Sequence, residues 1–118
     1  MKKKVWGQLM SINLYGCEYS LLTDPKKLEE FCIKLCKEIN MVPFGKPIIK
    51  RFGKGNLRGY SLMQFIETSS ITIHLDEFGL RAFIDIFSCK TFDVNKAKNF
   101  SKPFFKAKNI KYKNFYRY

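Results

Sequence analysis

Apolar and polar residues alternate along several short stretches of the chain, with the two-residue period of a half-buried β-strand. The first stretch covers residues 5–15 and ends at Gly16, which favours a turn. Three later runs are rich in β-branched and aromatic residues: residues 60–67, 71–75 and 80–87. Residues 68–70 and 76–79 separate these runs, so the pattern predicts three adjacent antiparallel strands.

A helical period replaces the strand period after Asp24, which is a suitable N-cap and is followed by Pro25 at the first helical position. Apolar residues then recur at spacings of three and four: Leu28, Phe31, Cys32, Leu35, Cys36 and Ile39. This stripe predicts a helix that packs against a sheet. A second helix is predicted from Asp93 to about residue 105, where Pro103 kinks or ends it.

The order of these elements predicts the fold class. Ile48 and Ile49 predict one short strand in a stretch otherwise rich in proline and glycine, and residues 110–118 predict a lysine-rich edge strand. Strand, helix, three or four strands, helix and strand together indicate an α/β fold of the α+β type. We expect a two-layer sandwich, an antiparallel sheet with helices on one face. The 118 residues suffice for one core, so residues 1–118 are predicted to form a single domain.

Composition excludes several classes of protein. The chain is 46% hydrophobic and 16% aromatic, unlike a disordered segment. No apolar stretch is long enough to cross a bilayer, and the residues after the Lys2 to Lys4 cluster do not form a signal peptide, so we expect a cytoplasmic protein without membrane association. The four cysteines lack the spacing of zinc or redox motifs, so no metal is predicted.

The net charge of +12 is the bulk property that most suggests a ligand, because basic surfaces attract phosphate backbones. The lysines are spread over the chain, which favours a solvated basic surface over a nucleic-acid interface. Tyr112, Phe115 and Tyr116 lie among lysines near the C-terminus and could stack on nucleobases, whereas a protected edge strand is the simpler interpretation.

Small hydroxyl residues interrupt the apolar pattern at Thr68, Ser69 and Ser70. The only histidine, His74, follows closely, and Cys89 comes fifteen residues later. Histidine titrates near neutrality and suits proton transfer. If the two strands pair as a hairpin, His74 and Cys89 lie near opposite ends of neighbouring strands, so the sequence alone does not bring them together.

Three short motifs keep a common spacing: Thr68-Ser69, Thr72-Ile73-His74 and a hydrophobic strand ending in Ser88-Cys89. This arrangement resembles the prokaryotic S-adenosylmethionine decarboxylase proenzyme family, in which a Glu-Ser cleavage site precedes Thr-Ile-His and then Phe-Thr-Cys. Thr68 stands where the family has glutamate and Ser70 where it commonly has histidine. These two departures indicate a divergent branch.

The resemblance implies a cofactor made from the chain itself. The Ser69 hydroxyl would attack the carbonyl of Thr68 and cut the chain into a β chain, residues 1–68, and an α chain, residues 69–118. Ser69 would become a covalent pyruvoyl group, which forms a Schiff base with the amino group of a substrate and accepts electrons as carbon dioxide departs.

The resemblance also implies roles for further residues. His74 would assist self-cleavage by proton transfer, and Cys89 would donate a proton to the carbanion. Ser61, aligned without a gap, matches a serine that helps processing. Phe52 matches the aromatic residue that stacks on adenine. Glu77 resembles the acidic residue that holds the ribose hydroxyls, although it lies one residue closer to His74 than in the family.

We therefore predict a homodimeric decarboxylase that converts S-adenosylmethionine to its decarboxylated form for polyamine (spermidine) biosynthesis. Two alternatives are also compatible with the sequence. The same fold could decarboxylate another amino acid, such as arginine or ornithine. An unprocessed, non-catalytic homologue could instead serve as a binding protein.

Overall fold

A computed structural model describes residues 4–118, so Lys2 and Lys3 of the N-terminal lysine cluster lie outside the described residues. The elements in chain order are β1 (Gly7–Tyr15), α1 (Tyr19–Leu22), α2 (Pro25–Glu38), β2 (Ile48–Phe52), a 3-10 turn (Gly55–Leu57), β3 (Gly59–Ile66), β4 (Ser69–Asp76), β5 (Arg81–Ser88), α3 (Val94–Phe104) and β6 (Asn109–Arg117). The six strands form one antiparallel sheet in the order β2-β3-β4-β5-β1-β6. The predicted α+β sandwich is confirmed.

Local sequence signals account for both long helices. Asp24 caps α2 by accepting hydrogen bonds from the backbone N–H groups of Lys26 and Lys27, and Asp93 caps α3 in the same way. Such caps satisfy donors that the first helical turn leaves free. The apolar stripe of α2 is buried as predicted. Phe31 packs on Phe105 of the segment after α3 with ring centroids 4.8 Å apart, and this contact joins the two helices.

The two faces of the sheet have different surroundings. On β4, Ile71 and Ile73 are fully buried against the helices, whereas the alternate residue His74 is exposed. The described elements leave this opposite face, which we call the open face, without a covering layer. Met63 and Phe65 of β3 lie there and are 38% and 48% exposed.

Several boundaries differ from the predicted ones. Val5 precedes β1 and is exposed. The predicted break at residues 68–70 is wrong at its second half, because Ser69 and Ser70 already pair in β4 and the chain turns at Glu67 and Thr68. Serine fits both turns and strands, so the pattern could not fix this boundary.

Three of the four cysteines serve the core. Burial raises the pKa of Cys32 to about 12 and the pKa values of Cys17 and Cys36 to about 11, so these thiols stay protonated at neutral pH. The prediction that Cys32 and Cys36 are core residues is confirmed. Within residues 4–118, no helix is long and apolar enough to cross a membrane.

Candidate active site

The predicted cleavage site lies in the turn between β3 and β4. Thr68 has a φ of 61°, a left-handed conformation that β-branched residues rarely adopt. Its hydroxyl donates to the Glu67 carbonyl at 2.5 Å and lies 2.6 Å from Cys89 Sγ. Since the single hydroxyl hydrogen is directed at Glu67, the Cys89 thiol is the donor in the second contact. The turn therefore brings Thr68 and Cys89 together.

Ser69 is the first residue of β4 and pairs with Ser88 at the end of β5. Its hydroxyl donates to Ser88 Oγ at 3.2 Å and accepts from the backbone N–H of Cys89 at 3.3 Å. Ser88 Oγ also accepts from the backbone N–H of Lys90 at 3.1 Å. Two neighbouring groups thus hold the Ser69 hydroxyl directly beside the Thr68–Ser69 peptide bond.

A cavity of about 240 Å³ adjoins this peptide bond. Met41 and Val42, which follow α2, line one side, and Thr68 and Ser69 line another. Lys90 also lines it, while its ammonium group donates to the backbone carbonyl of Asn40 at 2.8 Å. The cavity can admit the amino acid portion of a small substrate next to Ser69.

The second group of predicted residues lies on the open face. Ser61 of β3 pairs in register with His74 of β4, and Ser61 Oγ lies 3.0 Å from His74 Nδ1. This contact orients the imidazole ring. A histidine so held can accept or donate a proton at its other nitrogen.

Within one chain, the two groups do not meet. His74 is five residues beyond Ser69 along β4 and therefore roughly 16 Å away, on the opposite face of the sheet. On β5 it pairs with Phe83, whereas Cys89 follows the other end of that strand. The expectation that His74 and Cys89 occupy opposite ends of neighbouring strands is confirmed.

The two predicted substrate-binding residues lie near the His74 end of the sheet. Phe52 ends β2 opposite Gly59 and is 61% exposed. Glu77 follows β4 and accepts two hydrogen bonds from the Arg51 guanidinium, at 2.6 and 3.3 Å. The hydrogen bond to Glu77 raises the pKa of Arg51. The Arg51 guanidinium therefore fixes the direction of the Glu77 carboxylate, at the same end of the sheet as Phe52.

The sequence predicts no role for two further residues of this site, Ser88 and Arg51. Ser88 stands where the resembling family has threonine, and that shared hydroxyl was the available signal. Arg51 directly precedes Phe52 in the sequence, and no role was predicted for it. Its contact with Glu77, 26 residues away, could not be read from the local pattern.

Comparison with known proteins decides the family. A family model described as S-adenosylmethionine decarboxylase matches residues 8–118. The chain belongs to the S-adenosylmethionine decarboxylase family. Two relatives from Clostridium botulinum, of strains Hall and Loch Maree, carry the name S-adenosylmethionine decarboxylase proenzyme. They are 30% and 32% identical to this chain over 115 and 111 residues. The alignments cover 97% and 92% of this chain and 96% and 92% of the relatives.

A solved structure supports the same fold. The crystal structure of the adenosylmethionine decarboxylase from Aquifex aeolicus VF5 matches with a TM-score of 0.80, over 98% of this chain and 92% of that one, at 18% identity. The S-adenosylmethionine decarboxylase family consists of pyruvoyl-dependent enzymes of polyamine biosynthesis. The predicted family and enzyme class are thus confirmed, while the roles of individual residues stay predictions.

Proposed function

We propose that this chain is a self-processing decarboxylase that cuts its backbone between Thr68 and Ser69 and then decarboxylates S-adenosylmethionine. The observation that carries this proposal is the placement of the Ser69 hydroxyl. It is held by Ser88 Oγ and the Cys89 N–H, directly after a residue in the left-handed conformation. Strained backbone at a reacting bond lowers the energy needed to reach a distorted transition state.

The proposed cleavage takes place between two consecutive residues, Thr68 and Ser69. Ser69 Oγ bonds to the Thr68 carbonyl carbon, the peptide C–N bond breaks, and the hydroxyl proton ends on the Ser69 nitrogen, which converts the amide to an ester. Loss of the Ser69 α-proton and departure of the Thr68 carboxylate leave a dehydroalanine residue. Water then replaces its nitrogen, which leaves as ammonia, and a pyruvoyl group remains at the N-terminus of residues 69–118.

The residues around Ser69 fit such a group. The adjoining cavity of about 240 Å³ provides space for a bound amino acid beside position 69. The pyruvoyl carbonyl, once formed, supplies an electron sink for loss of a carboxyl group. Cys89 is half-buried and in contact with Thr68, and we propose that its thiol returns a proton to the substrate carbon after carbon dioxide has left.

His74 requires a second copy of the chain if it acts on Ser69. Its own Ser69 is roughly 16 Å away on the other face of the sheet, too far for proton transfer. The open face that carries His74 also exposes the apolar side chains of Met63 and Phe65. We therefore propose a homodimer that covers this face, with the Ser61–His74 pair of one copy serving the cleavage site of the other.

S-adenosylmethionine is the proposed substrate because Phe52 and Glu77 offer complementary groups for a nucleoside. An exposed aromatic ring can stack on adenine, and a carboxylate accepts hydrogen bonds from ribose hydroxyls. Arginine and ornithine would use neither group in this way. Release of carbon dioxide from each of the three substrates, measured on the same processed protein, tests this assignment. Faster release from arginine or ornithine would overturn it.

We further propose a cytoplasmic location.

Intact-mass spectrometry tests the cleavage itself. The purified protein should show two fragments, residues 1–68 and residues 69–118, the second blocked by a pyruvoyl group that borohydride reduces. S69A should show one chain of full length. A wild-type chain that stays whole for days at neutral pH would contradict the proposal.

One observation favours a second candidate function. Thr68 replaces the glutamate of the resembling family at the scissile position, and a chain with this change could bind a ligand without being cut. Calorimetry with S-adenosylmethionine on the uncut S69A protein, compared with S69A/E77Q, tests this alternative. Tight binding by a wild-type chain that never cleaves would support it.

A further inference from the structure

Ser88 is a buried hydroxyl residue whose contacts converge on the proposed nucleophile. It ends β5 and is fully buried. A buried hydroxyl costs folding free energy unless hydrogen bonds satisfy it. Ser88 Oγ accepts from the Ser69 hydroxyl at 3.2 Å and from the Lys90 backbone N–H at 3.1 Å.

The Lys90 contact fixes the direction of the Ser88 side chain. Lys90 N–H is a backbone donor two residues further along the chain, so it holds Ser88 Oγ at one position relative to β5. Because Ser69 and Ser88 pair in register, this position faces the Ser69 hydroxyl across the two strands. The Ser69 hydrogen is thereby directed at Ser88, and the Cys89 N–H approaches the Ser69 oxygen separately.

We propose that Ser88 is a positioning residue for self-cleavage, which holds the Ser69 hydroxyl in the orientation needed for attack on the Thr68 carbonyl. The inference rests on the proposed self-cleavage and adds a residue to it. Ser88 neither gains nor loses a proton in the net step, since the Ser69 hydroxyl proton still ends on the Ser69 nitrogen. Fixing a nucleophile in a reactive orientation accelerates intramolecular attack strongly.

A purely structural role for Ser88 predicts different behaviour. In that case the Ser88–Lys90 bond would only stabilise the chain after β5, and its loss would lower the melting temperature without a specific effect on cleavage. The variants S88T and S88V separate the two roles, because threonine and valine have nearly the same shape and differ in the hydroxyl group.

The experiment follows conversion of freshly purified full-length chain to fragments by intact mass, alongside melting temperature. S88A and S88V should cleave about 10²-fold more slowly than wild type, because misplacement of a reacting group has effects of this size. S88T should stay near the wild-type rate. Hydroxylamine, which cleaves esters and leaves amides intact, should release correspondingly less fragment from S88V than from S88T.

Ser101 provides a matched control. It is also a fully buried serine, but its hydroxyl has no hydrogen-bond partner and lies in α3. S101A should leave the cleavage rate unchanged.

Two outcomes would overturn the inference about Ser88. In the first, S88A and S88V cleave within threefold of S88T. In the second, S88A and S88V fail to fold while S88T folds normally, which would assign Ser88 a structural role. If the wild-type chain is not cleaved, the proposed function itself is wrong. If the wild-type and S88V chains are cleaved equally fast, the proposed function stands and only the inference about Ser88 is wrong.

Discussion

Two cross-strand pairs, each of which includes a serine hydroxyl, lie towards opposite ends of β4 and differ in their surroundings. Ser69 and Ser88 lie at the turn end, beside a cavity under the helix layer. Ser61 and His74 lie at the other end, on the open face. Among residues 4–118, the hydroxyl of the proposed nucleophile Ser69 hydrogen-bonds to Ser88 and the Cys89 N–H, and the His74 imidazole hydrogen-bonds to Ser61. One chain therefore contains the residues of the proposed cleavage site but does not bring them together.

The largest effect is expected when His74, which lies far from Ser69 of its own chain, is replaced. H74A should slow cleavage by about 10²-fold to 10⁴-fold, the usual contribution of general acid–base catalysis. Mixing H74A with S69A should restore cutting of the H74A chain, because each mixed dimer would contain one intact Ser69 and one intact His74 from different copies. Mass spectrometry distinguishes the two chains. No recovery in proven mixed dimers would mean that His74 does not act from a second copy.

Replacing Cys89, at the turn between β3 and β4, should affect decarboxylation but not self-cleavage. C89A retains the Ser69–Ser88 contact, so we expect full processing with decarboxylation slowed by about 10²-fold or more through loss of the proton donor. Carbon dioxide release per pyruvoyl group measures this effect. C17A, which changes a buried thiol with a pKa raised to about 11, should retain turnover while it stays folded. Equal loss in both variants would contradict a specific role for Cys89.

Substrate contacts at the His74 end should have a smaller effect. E77Q should raise KM for S-adenosylmethionine about tenfold, because a hydrogen bond to a charged group contributes about 1.5–3 kcal/mol. Processing should be complete and kcat nearly unchanged. R51Q should raise KM less, since it removes the groups that orient Glu77 and leaves the carboxylate in place. An unchanged KM in E77Q would exclude Glu77 from the binding site.

The smallest expected effect concerns the turn after β4. Burial acts to raise the pKa of Asp76, but the Gly79 N–H and Arg81 outweigh it and lower that pKa below its ordinary value. A lowered folded-state pKa gives stability that is present above the unfolded-state pKa and is lost as pH falls through the folded-state value. D76N should therefore reduce the acid sensitivity of the melting temperature below about pH 4, by the equivalent of about 1 kcal/mol or less. If the melting temperatures of D76N and wild type fell in parallel as the pH is lowered, this prediction would be wrong.

Much of the fold could be predicted because its elements carry strong local signals. The Asp24-Pro25 cap and the apolar stripe defined α2, and the runs of β-branched residues defined β3 to β5. Helix α1, with four residues, is too short to show a period. The exact start of β4 also escaped prediction, since Ser69 is equally compatible with a turn and a strand.

The site was predictable only in part, because several of its contacts join residues that are far apart in the sequence. The resemblance to the family in motifs and spacing identified Ser69, His74 and Cys89, and hairpin pairing predicted that the last two would lie near opposite ends of neighbouring strands. The contact between Arg51 and Glu77 depends on how an edge strand meets a distant turn. The Ser69–Ser88 contact depends on strand register, which a one-residue shift would have abolished.

Cleavage after Thr68 would leave two polypeptides that remain interleaved. Residues 1–68 supply β1, β2 and β3, and residues 69–118 supply β4, β5 and β6. Because β1 lies between β5 and β6, three of the five strand pairings join one fragment to the other. Once such a protein unfolds, recovery becomes a bimolecular encounter that depends on concentration. The uncut proenzyme would refold in a unimolecular reaction. The cleaved enzyme would instead stay folded at low concentration only because it unfolds slowly.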